Sequence, residues 1–176
     1  MLTPEELEAD ALFPWLRDLR VKPVPPSVVP EPPRHGETAA DCDSCSRPDD
    51  GYLWTDDSWR LWPMTSFPLR GCVLLESRAH VDSFSDMSPE LLVGLGTVTA
   101  RVERAVLSIG DVGRVHVARW GDGSAHFHLW FLPRPLGAMH MRGSGLVPWV
   151  EALDPVDDSV ISVAHEAIAA AMSTLD

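Results

Sequence analysis

Two histidines one residue apart, inside an apolar run, constrain this chain more than any other feature. The run is Ala125-His126-Phe127-His128-Leu129-Trp130-Phe131-Leu132, and Pro133-Arg134-Pro135 follows it. Successive side chains of a β-strand point to opposite faces, so a strand here places His126, His128 and Trp130 on one face and apolar residues on the other. The two imidazoles then stand roughly 6.5–7 Å apart, at about 3.3 Å of rise per residue, close enough to serve one site.

Length, composition and charge restrict the class of protein. The chain has 176 residues, of which 45% are hydrophobic and 23% charged, as in an ordinary globular protein with one substantial core. Its net charge of −12 and the lack of a basic run argue against binding to nucleic acid or an anionic membrane. No stretch approaches the roughly 20 apolar residues that span a bilayer, and the acidic N-terminus does not resemble a signal peptide. We therefore expect a cytoplasmic protein with no nucleic-acid or membrane partner.

The order of helix and strand signals predicts an α+β fold with an antiparallel sheet. Strands are predicted at Tyr52 to Trp54, Trp59 to Trp62, Gly71 to Glu76, Arg114 to Ala118 and in the histidine-rich run, and helices from Ser88 to about Gly110 and from Asp158 to about Thr174. A chain in which strands, a helix, strands and a helix follow one another favours this class over a doubly wound βαβ fold.

The sequence of the N-terminal region predicts a helix followed by a proline-rich segment. A helix is predicted over Thr3 to Arg20, with an uncertain second half because Pro14 interrupts the pattern. Lys22 to Pro33 carries six prolines and is predicted to be an extended arm. We expect three parts: a helix and arm at 1–34, a core domain at 35–140, and a C-terminal loop and helix at 141–176 that packs on that domain.

Upstream of the histidine-rich run lie further potential metal ligands. Cys42-Asp43-Ser44-Cys45 is a CxxC pair, and His80 follows an apolar strand. Zinc accepts two thiolates and two imidazoles in a closed tetrahedral structural site, so these residues and one strand histidine form a complete set. A redox pair is an alternative, but it favours a CxxC at the start of a helix after a strand. Two unremarkable cysteines are a third possibility.

Two other features of the sequence bear on metal chemistry. A cupin or mononuclear oxygenase also uses a His-x-His strand, but it needs a nearby carboxylate that Leu132 to Pro135 does not supply. The third cysteine, Cys72, lies in an apolar strand and is predicted to be buried.

The same residues resemble the histidine-triad (HIT) superfamily, in which alternating strand histidines precede Pro-Arg. The run from His126 to Arg134 matches that pattern except at Trp130, which stands where the third histidine is found. The resemblance extends to the CxxC, to His80 and to the Ser-Pro-Glu that introduces a helix, and it covers roughly residues 35–135. It implies a HIT-like antiparallel sheet with a long helix after the second or third strand, and we expect the C-terminal helix to be added to it.

The resemblance also implies roles for individual residues. In zinc-containing members, including the galactose-1-phosphate uridylyltransferase branch, the CxxC pair, the lone histidine and the first strand histidine hold a structural zinc. This pattern assigns the metal to Cys42, Cys45, His80 and His126. The second strand histidine, here His128, is the nucleophile that forms a nucleotidyl-histidine intermediate. The implied activity is a nucleotide hydrolase or nucleotidyltransferase, acting on a nucleotide or another phosphorylated metabolite, and family members usually form homodimers.

Five further residues are predicted to contact a substrate, namely Trp130, Ser124, Gly123, Arg134 and His116. The turn at 121–124 offers backbone N–H groups to phosphate oxygens, and an arginine offers a cation. An indole donates one N–H but cannot shuttle a proton, and the uridylyltransferase branch has glutamine at the position of Trp130. The alternative function is therefore a zinc-stabilised protein of this fold that binds a ligand or partner without catalysis.

Overall fold

A five-stranded antiparallel sheet forms the centre of the computed structural model, which describes residues 4–9, 14–15 and 23–174. The strands are β1 (Trp54–Thr55), β2 (Trp59–Pro63), β3 (Val73–Ser77), β4 (Val112–Ala118) and β5 (His128–Pro135). They lie in the order β1-β2-β3-β5-β4, and each neighbouring pair is antiparallel. The predicted α+β class is confirmed.

Five α-helices accompany the sheet in the described part of the chain. They are α1 (Pro4–Ala9), α2 (Asp43–Ser46), α3 (Pro89–Leu107), α4 (Leu146–Ala152) and α5 (Asp158–Thr174). The long helix α3 begins as predicted, because the hydroxyl of Ser88 accepts the N–H of Leu91 at 3.3 Å and Pro89 occupies the first helical position. It follows the third strand, as expected for the HIT-like arrangement.

One face of the sheet packs against α3 and α5 to form the main core. Leu61, Leu75 and Leu129 are opposite one another in β2, β3 and β5. They belong to one buried cluster with Val102 of α3 and Ile168 of α5. Because side chains alternate along a strand, the residues one position away lie on the other face of the sheet.

The other face carries the polar side chains of the site. Arg60, Glu76 and His128 form a row across β2, β3 and β5. Further along β5, Leu132 joins a second apolar cluster with Leu146 of α4. The sheet therefore presents its polar row between the metal-ligating segments and the part of the face that α4 covers.

The histidine-rich strand begins later than predicted. Regular pairing starts at His128, so the predicted start at Ala125 is three residues early. The N–H of Phe127 donates to the carbonyl of Val81 at 2.7 Å, and its carbonyl accepts the N–H of Ser77 at 3.3 Å. His126 thus lies in the approach to β5, and the regular alternation of one strand does not include it.

The N-terminal region agrees with the prediction where it is described. Residues 4–9 are helical, Pro14 and Trp15 are not, and the rest of the predicted Thr3 to Arg20 helix lies outside the described residues. The arm has neither helix nor strand from 23 to 34. The division into three parts remains a prediction. Among the described residues, none of the helices combines the length and apolar character that crossing a membrane requires.

Candidate functional site

Cys42, Cys45, His80 and His126 come together from three separate parts of the chain. Their donor atoms all lie within 4.8 Å of one another. The Sγ of Cys42 is 3.3 Å from Nδ1 of His126, and the Sγ of Cys45 is 3.3 Å from Nδ1 of His80 and 3.6 Å from Nδ1 of His126. In a tetrahedral zinc site, Zn–S and Zn–N bonds of about 2.3 and 2.05 Å separate sulfur from nitrogen by about 3.6 Å. The donor set and its spacing therefore fit one zinc ion.

The metal-ligating segments are anchored to the sheet by a buried arginine. Cys42 precedes the single turn of α2, and Cys45 lies within it. Arg60 of β2 donates to the carbonyl oxygens of Ser44 at 2.6 Å and Arg47 at 3.4 Å. These bonds hold both ends of the turn over the sheet, so the two thiols face the histidines.

His126 has the protonation state that a metal ligand requires. Its Nε2–H donates to the carbonyl of Ser77 at 2.7 Å, which leaves Nδ1 unprotonated and directed at the thiols. The ring is 2% exposed, and burial holds its pKa below the usual range for histidine. A neutral imidazole with its other nitrogen held by a carbonyl is the form that binds a metal.

The thiols do not have the character of a redox pair. Burial, together with the hydrogen bond and charge of Cys42, raises the pKa of Cys45 to about 11. A reactive redox cysteine has a lowered pKa, so this environment argues against that alternative. Cys72 is fully buried, as predicted, and burial raises the pKa of its thiol as well.

One ring nitrogen of His128, Nδ1, is hydrogen-bonded to the backbone, and the other, Nε2, has no such bond among the described residues. Its Nδ1–H donates to the carbonyl oxygen of His126 at 2.8 Å. With the proton on Nδ1, the lone pair lies on Nε2, as an imidazole nucleophile requires. The ring is partly buried, and its centroid is 6.4 Å from that of Trp130.

A buried carboxylate beside His128 is a feature that the sequence reasoning missed. Glu76 is opposite His128 in the β3–β5 register and is 4% exposed. Its carboxylate accepts the hydroxyl of Tyr52 at 2.8 Å and lies 3.5 Å from the guanidinium of Arg47. Burial and the charge of Glu76 raise the pKa of Tyr52 to about 12. A charged residue at mid-strand in Val73-Leu74-Leu75-Glu76 is the signal that could have found it.

The turn that carries Gly123 and Ser124 is paired with the end of the arm. The N–H of His35 donates to the carbonyl of Gly123 at 3.1 Å, and the N–H of Ala125 donates to the carbonyl of His35 at 2.9 Å. Ser124 and His35 thereby form an isolated parallel bridge. The hydrogen bonds to His35 use the carbonyl of Gly123 and the N–H of Ala125, and none of the N–H groups of residues 121–124 that the sequence assigns to phosphate binding.

An arginine fixes the arm at this position. Arg34 forms two hydrogen bonds with the carboxylate of Asp82, at 2.7 and 3.0 Å, and one with the carbonyl of Gly121 at 2.9 Å. Arg34 holds the pKa of Asp82 below its usual range, chiefly through these hydrogen bonds. The sequence reasoning did not identify this contact, because it joins segments far apart in the chain.

Arg134 does not reach the site of His128. It lies six positions along the same strand, about 20 Å away at 3.3 Å per residue. Its guanidinium donates to the carbonyls of Pro135 and Ala138 at 3.1 and 3.3 Å. Arg134 thus stabilises the loop after β5, and its prediction as a substrate contact has no support in this geometry.

The predicted substrate contact His116 also lies away from His128, and a further histidine, His165, is buried in another part of the fold. His116 is opposite Leu132, four strand positions or about 13 Å from His128, so the two rings do not share one cleft. Burial, and then the nearby charge of Arg134, lower its pKa. His165 is 5% exposed, and its Nε2–H donates to the carbonyl of Cys72 at 3.1 Å.

Trp130, next to His128, lines an open apolar cavity of about 310 Å³. The cavity lies between the sheet and α4, and the residues that line it are Phe67, Trp120, Trp130, Leu132, Val147, Val150 and Glu151. The rings of Phe67 and Trp120 are each 5.7 Å from that of Trp130, measured between centroids. The indole Nε1–H of Trp130 is buried and has no hydrogen-bond partner among the described residues.

Comparisons with known proteins identify the fold. No protein-family model matches the sequence, and no curated protein sequence matches it. A zinc-bound histidine-triad family protein from Mycobacterium smegmatis has a TM-score of 0.58 and 20% identity, with 79% of this chain and 98% of that chain covered. A hypothetical histidine-triad nucleotide-binding protein from Sulfolobus tokodaii has a TM-score of 0.56 and 12% identity, covering 76% and 93%.

A third solved structure gives the same result. It is a histidine-triad protein from Bradyrhizobium japonicum, with a TM-score of 0.55 and 18% identity, covering 66% of this chain and 86% of that chain. The resemblance that the sequence indicates is thus confirmed at the level of the fold, and this chain has the fold of the histidine-triad proteins. Together with the zinc-bound neighbour, the two cysteines and two histidines support zinc as the cofactor.

Proposed function

We propose that this protein is a HIT-like nucleotide hydrolase or nucleotidyltransferase that acts through a nucleotidyl-His128 intermediate on a zinc-stabilised fold. The observation that carries the proposal is the 2.8 Å hydrogen bond between Nδ1 of His128 and the carbonyl oxygen of His126. That bond sets the tautomer and orients the ring, so the Nε2 lone pair is held ready for an electrophile.

The metal site supports the nucleophile through its position. Cys42, Cys45, His80 and His126 would hold the ion, which supplies a structural crosslink between α2 and the segments that lead out of β3 and into β5. His126 contributes its ring to this group and its carbonyl to His128. The crosslink therefore limits movement of the backbone oxygen that orients the nucleophile.

The proposed reaction has two steps at one phosphorus atom. In the first, the Nε2 lone pair of His128 forms the N–P bond, the P–O bond to the leaving group breaks, and the electron pair stays on the departing oxygen. The Nδ1–H remains bonded to the His126 carbonyl, which stabilises the positive charge that the ring acquires. In the second step, water or an acceptor hydroxyl attacks the phosphorus, the N–P electron pair returns to Nε2, and the attacking group loses its proton to solvent.

The alternative is a zinc-stabilised binding protein of the same fold. Two observations favour it. Trp130 cannot supply a proton to a leaving group, and the backbone of His35 is hydrogen-bonded to Gly123 and Ala125 at the end of the turn proposed to bind phosphate. In that case His128 would contact a phosphorylated ligand without forming a bond to it.

Covalent labelling distinguishes the two functions. The full-length protein is incubated with a panel of nucleotides radiolabelled at the α-phosphorus and then denatured, and we expect a label that is stable in alkali and lost in acid, as a phosphoramidate is. His128→Asn should abolish the label. His35→Ala is the matched control and should retain it, because the side chain of His35 is exposed and contacts Asp43. No label on the wild type, or a label that survives in His128→Asn, would overturn the enzyme proposal.

A further inference from the structure

We infer that the substrate of the His128 site carries an uncharged aromatic group, bonded through oxygen to the reacting phosphorus, and that this group binds in the cavity beside Trp130. The inference deepens the proposed function and rests on it for the position of the phosphorus. The size, lining and charge of the cavity support the binding of an aromatic group independently of that position.

The cavity has the size and lining of a binding site for a ring. An apolar cavity of about 150 Å³ accepts benzene, so a volume of about 310 Å³ has room for a bicyclic aromatic group. Phe67, Trp120 and Trp130 supply aromatic walls, and three aliphatic side chains complete the surface. Apolar pockets with few polar groups are the usual form of a small-molecule site.

The charge at the cavity excludes the phosphate itself. Among the described residues that line it, Glu151 alone is charged, and it lies exposed at the opening. A carboxylate there repels a phosphate or carboxylate group, whereas an uncharged ring meets no such repulsion. The phosphorus therefore lies outside the cavity, on the side of His128. The ring centroids of His128 and Trp130 are 6.4 Å apart.

The chemistry of Trp130 points to the same kind of leaving group. An indole N–H does not transfer its proton, so a departing oxygen at this position must leave as an anion. An aryl oxide does this readily, since a phenol such as tyrosine has a pKa near 10, whereas an alkyl oxide needs a proton donor.

Binding of 2-naphthol to the zinc-loaded protein tests the cavity. We expect the indole N–H signals of Trp130 and Trp120 to shift in a ¹H–¹⁵N spectrum, and calorimetry to show at least tenfold weaker binding to Val147→Trp, which fills the cavity. Val150→Phe is a second variant in the same wall. Val163→Trp is the matched control and should bind within twofold of the wild type, because Val163 is 66% exposed on α5 and does not line the cavity.

Charged analogues test the electrostatic part. We expect 2-naphthoate to bind the wild type more weakly than 2-naphthol does, and Glu151→Gln to strengthen naphthoate binding several-fold while leaving naphthol unchanged. A quaternary naphthyl ammonium that binds tenfold more tightly than 2-naphthol would overturn the assignment of an uncharged group. Absence of indole shifts with 2-naphthol, or wild-type affinity in both filled variants, would overturn the cavity as the site.

The leaving-group assignment is tested on the nucleotide that labels His128. Its naphthyl ester should label His128, and Val147→Trp should slow that labelling at least tenfold, whereas Val163→Trp should leave it within twofold of the wild type. An ethyl ester that labels His128 as fast as the naphthyl ester would overturn the assignment. Naphthol binding should persist in His128→Asn, which separates the two proposals. Naphthol binding without any adduct means that the proposed function and the leaving-group role fail together. An adduct without naphthol binding means that the aromatic site alone fails.

Discussion

His126 serves the site with two different atoms. Its imidazole joins the metal-ligating group and its backbone carbonyl holds Nδ1 of His128. A change of its side chain therefore removes a metal ligand and the bond to the Ser77 carbonyl, but it leaves in the chain the backbone carbonyl that holds His128. Trp130, two positions beyond His128, forms a wall of the apolar cavity, and its Nε1–H is buried without a partner among the described residues.

The stability that Tyr52 contributes to the fold depends on pH. Burial and the charge of Glu76 raise the pKa of Tyr52 to about 12, above the ordinary tyrosine value of about 10. The unfolded chain therefore loses the phenolic proton first, and the stability that Tyr52 contributes is present below pH 10 and is lost as pH rises through about 12. The chain has a single tyrosine, so tyrosinate absorbance reports this titration directly.

We expect the absorbance midpoint of the folded protein to lie well above that of the urea-unfolded protein. Glu76→Gln should move the folded midpoint down, toward the unfolded value, because it removes the negative charge beside the phenol. Tyr52→Phe, which has no proton to lose, should lose less stability than the wild type in this range. A folded midpoint equal to the unfolded one would contradict the buried Tyr52–Glu76 contact.

At the scale of elements, α2 is a single turn that depends on outside contacts. A helix of this length is not stable on its own, so Arg60 and the metal must hold it in place. The double variant Cys42→Ser/Cys45→Ser should lose its zinc, lower the Tm by the order of 10 °C and increase amide hydrogen exchange around α2. Metal analysis, calorimetry and exchange mass spectrometry measure these effects.

Cys72→Ala is the control for that variant. Its thiol is buried away from the metal-ligating group, so this protein should keep one zinc per chain even if its packing is weakened. A double variant that is as stable as Cys72→Ala and shows wild-type exchange around α2 would contradict the structural role of the metal.

The arm is held to the core by Arg34, and loss of this contact should loosen the backbone around it. Arg34→Ala removes the bidentate contact with Asp82 and the bond to the turn before β5, so we expect faster exchange of the amide protons of His35 and Ala125. Arg70→Ala, at an exposed pair with Asp111, should leave those amides unchanged. Equal exchange in Arg34→Ala and the wild type would show that the arm is held by other contacts.

The sequence predicts elements better than it predicts their contacts. The helices α3 and α5 follow from local apolar periodicity and, for α3, a cap at Ser88. The sequence indicates the CxxC pair and His80 as metal ligands, and the family resemblance implies His126 as the fourth. The helix α4 has seven residues with Pro148 in its first turn, too short for a clear period. The Glu76–His128 register and the Arg34–Asp82 contact join distant segments, which no local pattern encodes.

For the whole molecule, the net charge of −12 opposes an anionic substrate. Long-range repulsion is screened as ionic strength rises, since the Debye length falls from about 30 Å at 0.01 M to about 8 Å at 0.15 M. We therefore expect 2-naphthyl phosphate to bind faster and more tightly with added salt over this range, whereas 2-naphthol changes little. Stopped-flow binding measures both. Weaker binding of the phosphate with salt would indicate a locally basic site that outweighs the net charge.

The proposed reaction requires a fold that holds His128 with its Nδ1 protonated and its Nε2 lone pair free. Long-range ¹H–¹⁵N NMR of the zinc-loaded protein reads this tautomer directly, with His128→Asn to assign the signal. We expect a protonated Nδ1 and an unprotonated Nε2 at His128 near neutral pH. A ring protonated at Nε2, with Nδ1 unprotonated, would contradict the bond to the His126 carbonyl and with it the proposed nucleophile.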